Sequence, residues 1–253
     1  MLDELSAIVA EAGRIAVARS GGDFRRWEKG VGEPVCEVDL EVDDFLRERL
    51  GRLDPEAGWL SEETIDRSDR IERKRVWVVD PIDGTRDYLR GRNGWAVSVA
   101  LVEDRTPVLG VLDAPARGEH WRAEKGKGAW RNGVPLRVSG RTELAGARVP
   151  ADRLAPVDSD LVTVHKPNSI ALRIALVAAG EADLVATLRW GFEWDIAAAA
   201  LIASEAGARV TGALGQPLAF NTHWGKAFGV LVATPGIHPA AVERLRDRAM
   251  SIV

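Results

Sequence analysis

The chain has 253 residues, of which 46% are apolar and 28% are charged, an ordinary composition for a folded globular protein. Its formal net charge of −4 argues against binding to a nucleic-acid backbone but permits binding of a small anion together with a metal ion. A single cysteine, Cys36, excludes an internal disulfide and fits a reducing cytoplasm. No apolar run approaches the roughly 20 residues that span a bilayer, and the N-terminus lacks the basic start of a signal peptide.

Hydrophobic periodicity predicts two helices near the start of the chain. Apolar residues at helical spacing predict a helix over residues 2–19, which a pair of glycines ends. Residues 23–35 are polar and rich in glycine, so we predict a mobile loop here, for which a lid is one role. A second helix is predicted from a cap at Asp39 to Leu50.

Alternation and turn residues then divide the chain into two parts. Strands are predicted over residues 58–63, 76–80, 95–103, 108–114, 119–123 and 128–131, with hairpin signals between several of them. From about residue 143, strands over 161–165, 182–188, 208–211 and 229–233 alternate with helices over 169–179, 194–206 and 239–250. We therefore predict an N-terminal α+β half, residues 1–142, with an antiparallel sheet, and a C-terminal α/β half, residues 143–253.

The stretch Asp80-Pro81-Ile82-Asp83-Gly84-Thr85 follows the predicted strand over residues 76–80. That strand is β-branched and aromatic without polar alternation, which is typical of a strand buried on both faces. Pro81 is predicted to stop it, because proline cannot donate to a sheet ladder. The end of a buried strand is expected to lie at a pocket.

The polar groups of this stretch suit a metal and a phosphate. Asp80 and Asp83 are carboxylates three residues apart on a turn, and Mg²⁺ prefers such oxygen ligands. The amide groups of Gly84 and Thr85, at a predicted helix start, can bind an anion such as phosphate. The alternative is that the two aspartates are only a turn residue and a helix cap.

Three motifs carry a resemblance to a known family. They are Trp77-Val78-Val79-Asp80-Pro81-Ile82-Asp83-Gly84-Thr85, Trp194-Asp195-Ile196-Ala197-Ala198-Ala199 and Leu60-Ser61-Glu62-Glu63. Together they resemble the signatures of the inositol monophosphatase superfamily, whose members are Mg²⁺-dependent, lithium-sensitive phosphatases of small phosphate monoesters. The resemblance implies a layered αβαβα sandwich of the inositol monophosphatase and fructose-1,6-bisphosphatase type, and a homodimer.

The resemblance also implies a set of metal ligands. Glu62, Asp80 and the carbonyl of Ile82 are expected to hold one Mg²⁺, and Asp80, Asp83 and Asp195 a second. Four carboxylates that converge without cations would repel one another, which supports the assignment. The alternatives are a solvated acidic loop at Glu62 and a helix cap at Asp195.

Catalytic and substrate-binding residues follow from the same resemblance. A water activated by the metal is the expected nucleophile, Thr85 orients it, and Asp39 accepts the proton of the threonine. Glu62 is also expected to be catalytic, because it is expected to hold one of the metal ions. Contacts with the substrate phosphate are expected from Asp83, Gly84, Thr85 and Asp195.

Two positions depart from the pattern of the family. Val31 stands where a loop aspartate often helps to hold a third, weakly bound metal, so a third Mg²⁺ site is left open. Cys36 replaces a threonine. We interpret it as a packed residue, because no histidine follows in a pattern that would support a nucleophile.

The substrate is predicted from the second half of the chain. Residues 176–183 and Glu193-Trp194-Asp195 resemble the bacterial 3'(2'),5'-bisphosphate nucleotidase branch. Arg173 stands where that branch has a lysine for the second phosphate, and arginine can grip phosphate with two nitrogens. Arg189 lies two residues beyond Thr187, where an arginine is expected, and so on the same side of a strand. The alternative is that both arginines are solvated surface residues.

We therefore predict a cytoplasmic, Mg²⁺-dependent phosphomonoesterase that converts adenosine 3',5'-bisphosphate to AMP and phosphate. Within the same class, the alternative is an inositol-1-monophosphatase or a phosphatase of sugar or histidinol phosphates. From another class, the alternative is a non-catalytic protein that keeps the fold as a metal-binding module. Turnover with and without Mg²⁺ distinguishes an enzyme from such a module.

Overall fold

The computed structural model describes residues 1–30 and 33–252. Its helices are α1 (Leu2–Arg19), α2 (Glu37–Leu53), α3 (Thr85–Leu89), α4 (Ile170–Ala178), α5 (Ala197–Glu205) and α6 (His238–Met250). In the described part of the chain, no helix combines the length and the apolar character that crossing a membrane requires. The expectation for Val31 falls outside the described residues.

The strands are arranged in four sheets. They are β1 (Arg26–Gly30), β2 (Glu33–Cys36), β3 (Gly58–Ser61), β4 (Arg75–Asp83), β5 (Ala96–Glu103), β6 (Thr106–Ala114), β7 (Glu119–Glu124), β8 (Gly128–Arg131), β9 (Val134–Pro135), β10 (Arg148–Pro150), β11 (Val162–Val164), β12 (Leu184–Phe192), β13 (Arg209–Thr211) and β14 (Lys226–Ala233). The largest sheet has seven strands in the order β3-β4-β5-β6-β7-β8-β9, and a three-stranded sheet has the order β12-β14-β13. Strands β3 and β4 are parallel, whereas the meander from β4 to β9 is antiparallel.

Apolar faces hold these elements in five layers. Helices α1 and α2 pack through residues such as Leu5 and Leu46 on one face of the seven-stranded sheet. The alanine-rich helices α4 and α5 fill the space between its other face and the three-stranded sheet. Helix α6 covers the far side of that sheet through Ala241 and Leu245. The predicted αβαβα sandwich is confirmed.

The central apolar cluster joins strands on both sides of residue 142. Val78 of β4, Ile174 of α4 and Val232 of β14 all belong to it. A hydrophobic core shared in this way buries more apolar surface than two separate small cores would. The division into residues 1–142 and 143–253 stays a prediction.

Three predictions about the first half are wrong. Helix α2 begins at Glu37 with Cys36 as its N-cap, so Asp39 lies in the first turn and is not the cap. The expected loop over residues 23–35 contains the antiparallel hairpin of β1 and β2. Pro81 does not stop β4, which continues to Asp83, where it pairs with Ala96 of β5. The register shifts between Asp80 and Asp83, and a proline without an N–H group is tolerated where a bulge already interrupts the ladder.

Candidate active site

The end of β4 lines a cleft with a volume of about 230 Å³ between the two large sheets. Every predicted site residue except Asp39 lines this cleft: Glu62, Asp80, Ile82, Asp83, Gly84, Thr85, Arg173, Arg189 and Asp195. They come from the loop after β3, the end of β4, the start of α3, helix α4, strand β12 and the β12–α5 connection. The fold therefore gathers residues that lie more than a hundred positions apart in the chain.

Three carboxylates form the acidic centre of the cleft. One oxygen atom from each of Glu62, Asp80 and Asp195 lies within 4.8 Å of the other two. Burial, and then repulsion by neighbouring carboxylates, raises the pKa of Asp80 and of Asp195 well above the usual range. A divalent cation would relieve this cost, and an all-oxygen set of carboxylates is what Mg²⁺ takes. The residues thus fit the metal that the family motifs imply.

Asp83 lies beside this centre but is bonded to helix α4. Its carboxylate accepts the hydroxyl of Ser169 at 2.5 Å and the amides of Ala171 at 2.8 Å and Ile170 at 3.3 Å. Burial raises its pKa to about 6, against the lowering effect of these hydrogen bonds. Its charge in turn raises the pKa of Asp80 and Asp195. Among the described residues, Asp83 is not part of the group formed by Glu62, Asp80 and Asp195, and its expected place with Asp80 and Asp195 at a second metal stays a prediction.

Lys29, at the end of β1, faces the same centre. Its ammonium group lies 3.5 Å from Oε1 of Glu62 and donates to the carbonyl of Glu62 at 3.3 Å and to the carboxylate of Glu63. Burial works to lower the pKa of Lys29, but the two glutamates raise it above its usual value. The hairpin is therefore attached to the loop that carries Glu62.

Thr85 and Asp39 form a hydrogen-bonded pair next to the cleft. The Thr85 hydroxyl lies 3.3 Å from Oδ1 of Asp39 and 3.0 Å from the carbonyl oxygen of Ile82. The other oxygen of Asp39 accepts the amide of Cys36 at 2.8 Å and its thiol at 2.9 Å, which closes a capping box on α2. Burial raises the pKa of Asp39 to about 6.

The raised pKa of the Cys36 thiol explains why this residue donates a hydrogen bond and does not act as a nucleophile. Burial and the adjacent Asp39 raise it to about 12, so the thiol keeps its proton at neutral pH. A protonated, buried thiol is a poor nucleophile. Its hydrogen bond instead fixes one oxygen of Asp39 and leaves the other directed at Thr85.

Gly84 makes the turn between β4 and α3 possible. Its φ of 97° lies in the left-handed region, where residues with a Cβ are strained. A Cβ at this position would also lie 2.8 Å from the carbonyl oxygen of Gly94 and 2.9 Å from the amide nitrogen of Ser169. Gly84 and Thr85, at the start of α3, both line the cleft.

Both predicted phosphate-binding arginines line the cleft, in different ways. Arg173 donates from Nε to the carbonyl of Pro167 at 2.8 Å and from Nη2 to that of Asn168 at 2.6 Å. The side chain of Arg189 is exposed and, within the described chain, makes no hydrogen bond or ion pair, although its positive charge opposes the rise in the pKa of Asp195. The register of β12 shifts between Thr187 and Trp190, so Arg189 reaches the cleft from a bulge and not from a regular strand.

Sequence reasoning missed other residues of this region. Arg86 and Asn168 line the cleft, and Ser169 links Asp83 to α4. Ser169 had a detectable signal, since a serine that precedes an apolar helical run is a preferred N-cap, and its Oγ accepts the amide of Leu172 at 2.9 Å. Arg86 directly follows the motif that ends in Thr85. Asn168 had no comparable signal.

Comparisons with known proteins agree with this geometry. The family model described as the inositol monophosphatase family matches residues 2–249. The 3'(2'),5'-bisphosphate nucleotidase CysQ of Aggregatibacter actinomycetemcomitans is 33% identical over 202 residues, which cover 74% of this chain and 75% of that protein. The histidinol-phosphatase of Mycobacterium tuberculosis is 33% identical over 257 residues, which cover 94% of this chain and 95% of that protein.

A solved structure extends the likeness to the whole fold. An IMPase of Thermotoga maritima superposes with a TM-score of 0.86 at 27% identity, over 100% of this chain and 99% of that one. The match of the family model alone spans nearly the full length. The chain therefore belongs to the inositol monophosphatase family of phosphatases.

Proposed function

We propose that this protein hydrolyses a phosphate monoester of a small metabolite in the presence of Mg²⁺, with adenosine 3',5'-bisphosphate as the preferred substrate. The observation that carries the proposal is the convergence of Glu62, Asp80 and Asp195 within 4.8 Å, beside the Thr85–Asp39 pair. When bound, Mg²⁺ would supply Lewis-acid activation of water and of the phosphate oxygens. Two main sites are proposed, with Ile82 and Asp83 as further ligands.

The proton path is supported by the geometry around Thr85. A water that attacks phosphorus must lose a proton, and the threonine hydroxyl can accept it while passing its own proton to Oδ1 of Asp39, 3.3 Å away. A pKa of about 6 suits Asp39 as a proton acceptor near neutral pH. The P–O ester bond breaks, the leaving oxygen of the substrate takes up a proton from solvent and becomes a hydroxyl, and Asp39 returns its proton to solvent. The phosphate is held by the amides of Gly84 and Thr85.

The proposed substrate class rests on the two arginines of the cleft. Arg173 and Arg189 line the same cleft as Asp83 and Asp195, so one small molecule could place one phosphate at a metal held by the carboxylates and a second phosphate beside a guanidinium. A second phosphate would pair with Arg189, which is otherwise unpaired within the described residues. The likeness to a 3'(2'),5'-bisphosphate nucleotidase supports the same choice.

A second candidate substrate is histidinol phosphate. The observation that favours it is the coverage of the histidinol-phosphatase match, which extends over 94% of this chain at 33% identity. Histidinol carries an ammonium group and no second phosphate, so the arginines would not favour it. Loss of Arg189 would then leave the affinity of the enzyme for histidinol phosphate unchanged or improved, whereas it should weaken the affinity for a bisphosphate.

Phosphate release from adenosine 3',5'-bisphosphate, histidinol phosphate and inositol 1-phosphate, each with Mg²⁺ and with EDTA, tests the proposal. We expect release only with Mg²⁺ and the highest kcat/KM for the bisphosphate. Equal efficiency on all three would indicate a broad phosphatase. The absence of turnover, with the protein folded and Mg²⁺ bound, would indicate a non-catalytic metal-binding module and refute the proposal.

A further inference from the structure

Arg70 is a buried arginine outside the cleft that joins two distant segments. Its side chain is 1% exposed, and its Nε and Nη2 donate to the two oxygens of Asp66 at 2.6 Å and 2.7 Å. Its Nη1 donates to Oδ1 of Asn221 at 2.5 Å and to the carbonyl of Thr222 at 3.1 Å. The side-chain amide of Asn221 donates in return to the backbone carbonyl of Arg70 at 3.1 Å. The segment before β4 is thus bonded in both directions to the loop before β14.

Glu193 connects that loop to the acidic centre. Its side chain is 0% exposed and accepts the amide of Asn221 at 2.5 Å, the amide of Thr222 at 2.9 Å and the Thr222 hydroxyl. Its backbone carbonyl accepts the amides of Ile196 at 3.1 Å and Ala197 at 2.9 Å, on either side of the step into α5. The side chain of Glu193 therefore holds the loop before β14, and its backbone carbonyl holds the turn that contains Asp195.

The network joins the two segments that bring Glu62 and Asp195 to the cleft. Glu62 lies four residues before Asp66, and Asp195 lies two residues after Glu193. Arg70, Asn221 and Glu193 are not among the described residues that line the cleft. They can act on a bound metal only by setting the positions of its ligands, in the manner of the outer hydrogen bonds that orient metal ligands elsewhere.

We propose that Arg70, Asn221 and Glu193 are positioning residues that set the separation of Glu62 and Asp195, and thereby the affinity of the acidic centre for a divalent metal. This inference rests on the proposed function, because it assumes that these carboxylates bind metal. A buried ion pair is by itself weak grounds for stability, since apolar replacements of similar volume often serve as well. The forked geometry of the arginine and the closed ring of hydrogen bonds instead specify one arrangement of the two segments.

Asn221 allows a clean test, because its φ of 54° lies in the left-handed region. Asn221→Gly removes the amide that faces Arg70 while glycine adopts the same backbone without strain. Arg70→Lys keeps the positive charge but loses the fork that bonds Asp66 and Asn221 together. The matched control is Arg248→Lys on α6, where Arg248 donates to both oxygens of Asp158 at 2.8 Å and 3.0 Å.

The affinity of the full-length, metal-stripped protein for Mn²⁺, measured by electron paramagnetic resonance of the free ion, gives a readout that does not depend on turnover. Mn²⁺ is the probe because it shares the preference of Mg²⁺ for oxygen ligands. We expect the Mn²⁺ Kd to rise roughly tenfold or more in Asn221→Gly and in Arg70→Lys, and to stay at the wild-type value in Arg248→Lys. The KM for substrate at saturating Mg²⁺ should stay within about twofold of wild type in Asn221→Gly, since the substrate contacts are untouched.

The outcomes separate a positioning role from a bracing role. A lower melting temperature with an unchanged Mn²⁺ Kd in Asn221→Gly would show a structural brace only and would overturn the inference. If Arg70→Lys does not fold, Asn221→Gly decides alone. Wild-type protein that binds no Mn²⁺ would overturn the inference and the proposed function together, whereas wild-type binding with unaffected variants would overturn the inference alone.

Discussion

The carboxylate of Asp83 accepts the hydroxyl of Ser169 at 2.5 Å, which joins the end of β4 to helix α4. The same oxygen of Asp83 accepts the amide of Ala171 at 2.8 Å, so it also caps the helix N-terminus. Asp83 thus faces the cleft and stabilises the helix that forms one of its walls. Asp195 caps no helix in the described part of the chain, and burial and repulsion disfavour its charge in spite of a hydrogen bond from the amide of Phe192.

This difference predicts opposite effects of two substitutions on the metal-free protein. Asp83→Ala leaves the hydroxyl and amide donors of α4 unpaired in a buried position, which costs about 1–3 kcal/mol, or several degrees of melting temperature. Asp195→Asn removes one of the repelling charges, so the melting temperature in EDTA should stay equal or rise. Both variants should lose Mg²⁺-dependent phosphate release. Thermal melts in EDTA with a parallel phosphate assay measure this.

The exposed Asp160, which pairs with Arg244 at 2.8 Å and 2.9 Å far from the cleft, supplies the control. Asp160→Asn should keep full activity with a small change in stability. Full activity in Asp195→Asn would contradict the assignment of this carboxylate to the metal.

The hydroxyl of Thr85 is expected to be required for turnover. Thr85→Val keeps the shape of the side chain but removes the group that lies 3.3 Å from Asp39, so kcat should fall by roughly 10²–10⁴. Thr85→Ser retains the hydroxyl and should retain most of the activity. Steady-state kinetics at saturating Mg²⁺ measure both. Equal activities in the valine and serine variants would exclude a proton-transfer role for Thr85.

Arg189 is expected to act on the second phosphate of the substrate. Because the side chain of Arg189 makes no hydrogen bond or ion pair within the described chain, Arg189→Ala should change the melting temperature little. The KM for adenosine 3',5'-bisphosphate should rise about tenfold or more, whereas the KM for adenosine 3'-monophosphate, which lacks the second phosphate, should change little. Arg209→Ala, at the exposed first residue of strand β13, is the control.

Arg173→Ala should raise the KM for the bisphosphate and also lower stability. Stability is expected to fall in Arg173→Ala, unlike in Arg189→Ala, because Arg173 donates to the carbonyls of Pro167 and Asn168 and so fixes the loop before α4. An equal rise in KM for the monophosphate and the bisphosphate in Arg189→Ala would contradict the assignment of the second phosphate to this side chain.

Most of the cleft was predictable because its residues stand next to local signals. Asp80 and Asp83 follow a buried strand, and Asp195 precedes an alanine-rich helix, so the ends of these elements could be located from hydrophobic patterns. The resemblance of the motifs then indicated that they converge. Local pattern and tertiary position agree at these residues, as is expected of a sequence that folds uniquely.

The errors arose where pairing between distant segments overrides local preference. Pro81 lies inside β4 because a bulge between Asp80 and Asp83 interrupts the ladder there, so no N–H group is needed from the proline. Bulges leave no reliable signal in the sequence. Arg189 likewise reaches the cleft through a shift of register opposite Gly229 and not through regular alternation. The network of Arg70 and Glu193 could not have been predicted, since Arg70 lies more than a hundred residues from both Glu193 and Asn221 and no local pattern marks their contact.

The stability of the metal-free protein should increase on acidification. Burial raises the pKa of Asp39 and of Asp83 to about 6 and that of Glu63 to about 7, and the pKa values of Asp80 and Asp195 lie well above the usual range. In the unfolded chain these groups titrate near pH 4, so between about pH 4 and pH 7 the folded state binds more protons. Stability therefore falls as pH rises through this window.

We expect the melting temperature in EDTA to be several degrees higher at pH 5.5 than at pH 7.5, since one pKa unit corresponds to about 1.4 kcal/mol. Saturating Mg²⁺ should flatten or reverse this trend, because the metal stabilises the ionised carboxylates of Asp80 and Asp195. Asp195→Asn should show a weaker dependence on pH in EDTA, because one raised pKa and one source of repulsion are gone. A melting temperature in EDTA that falls between pH 7.5 and pH 5.5 would show that the carboxylates are not destabilised by their burial.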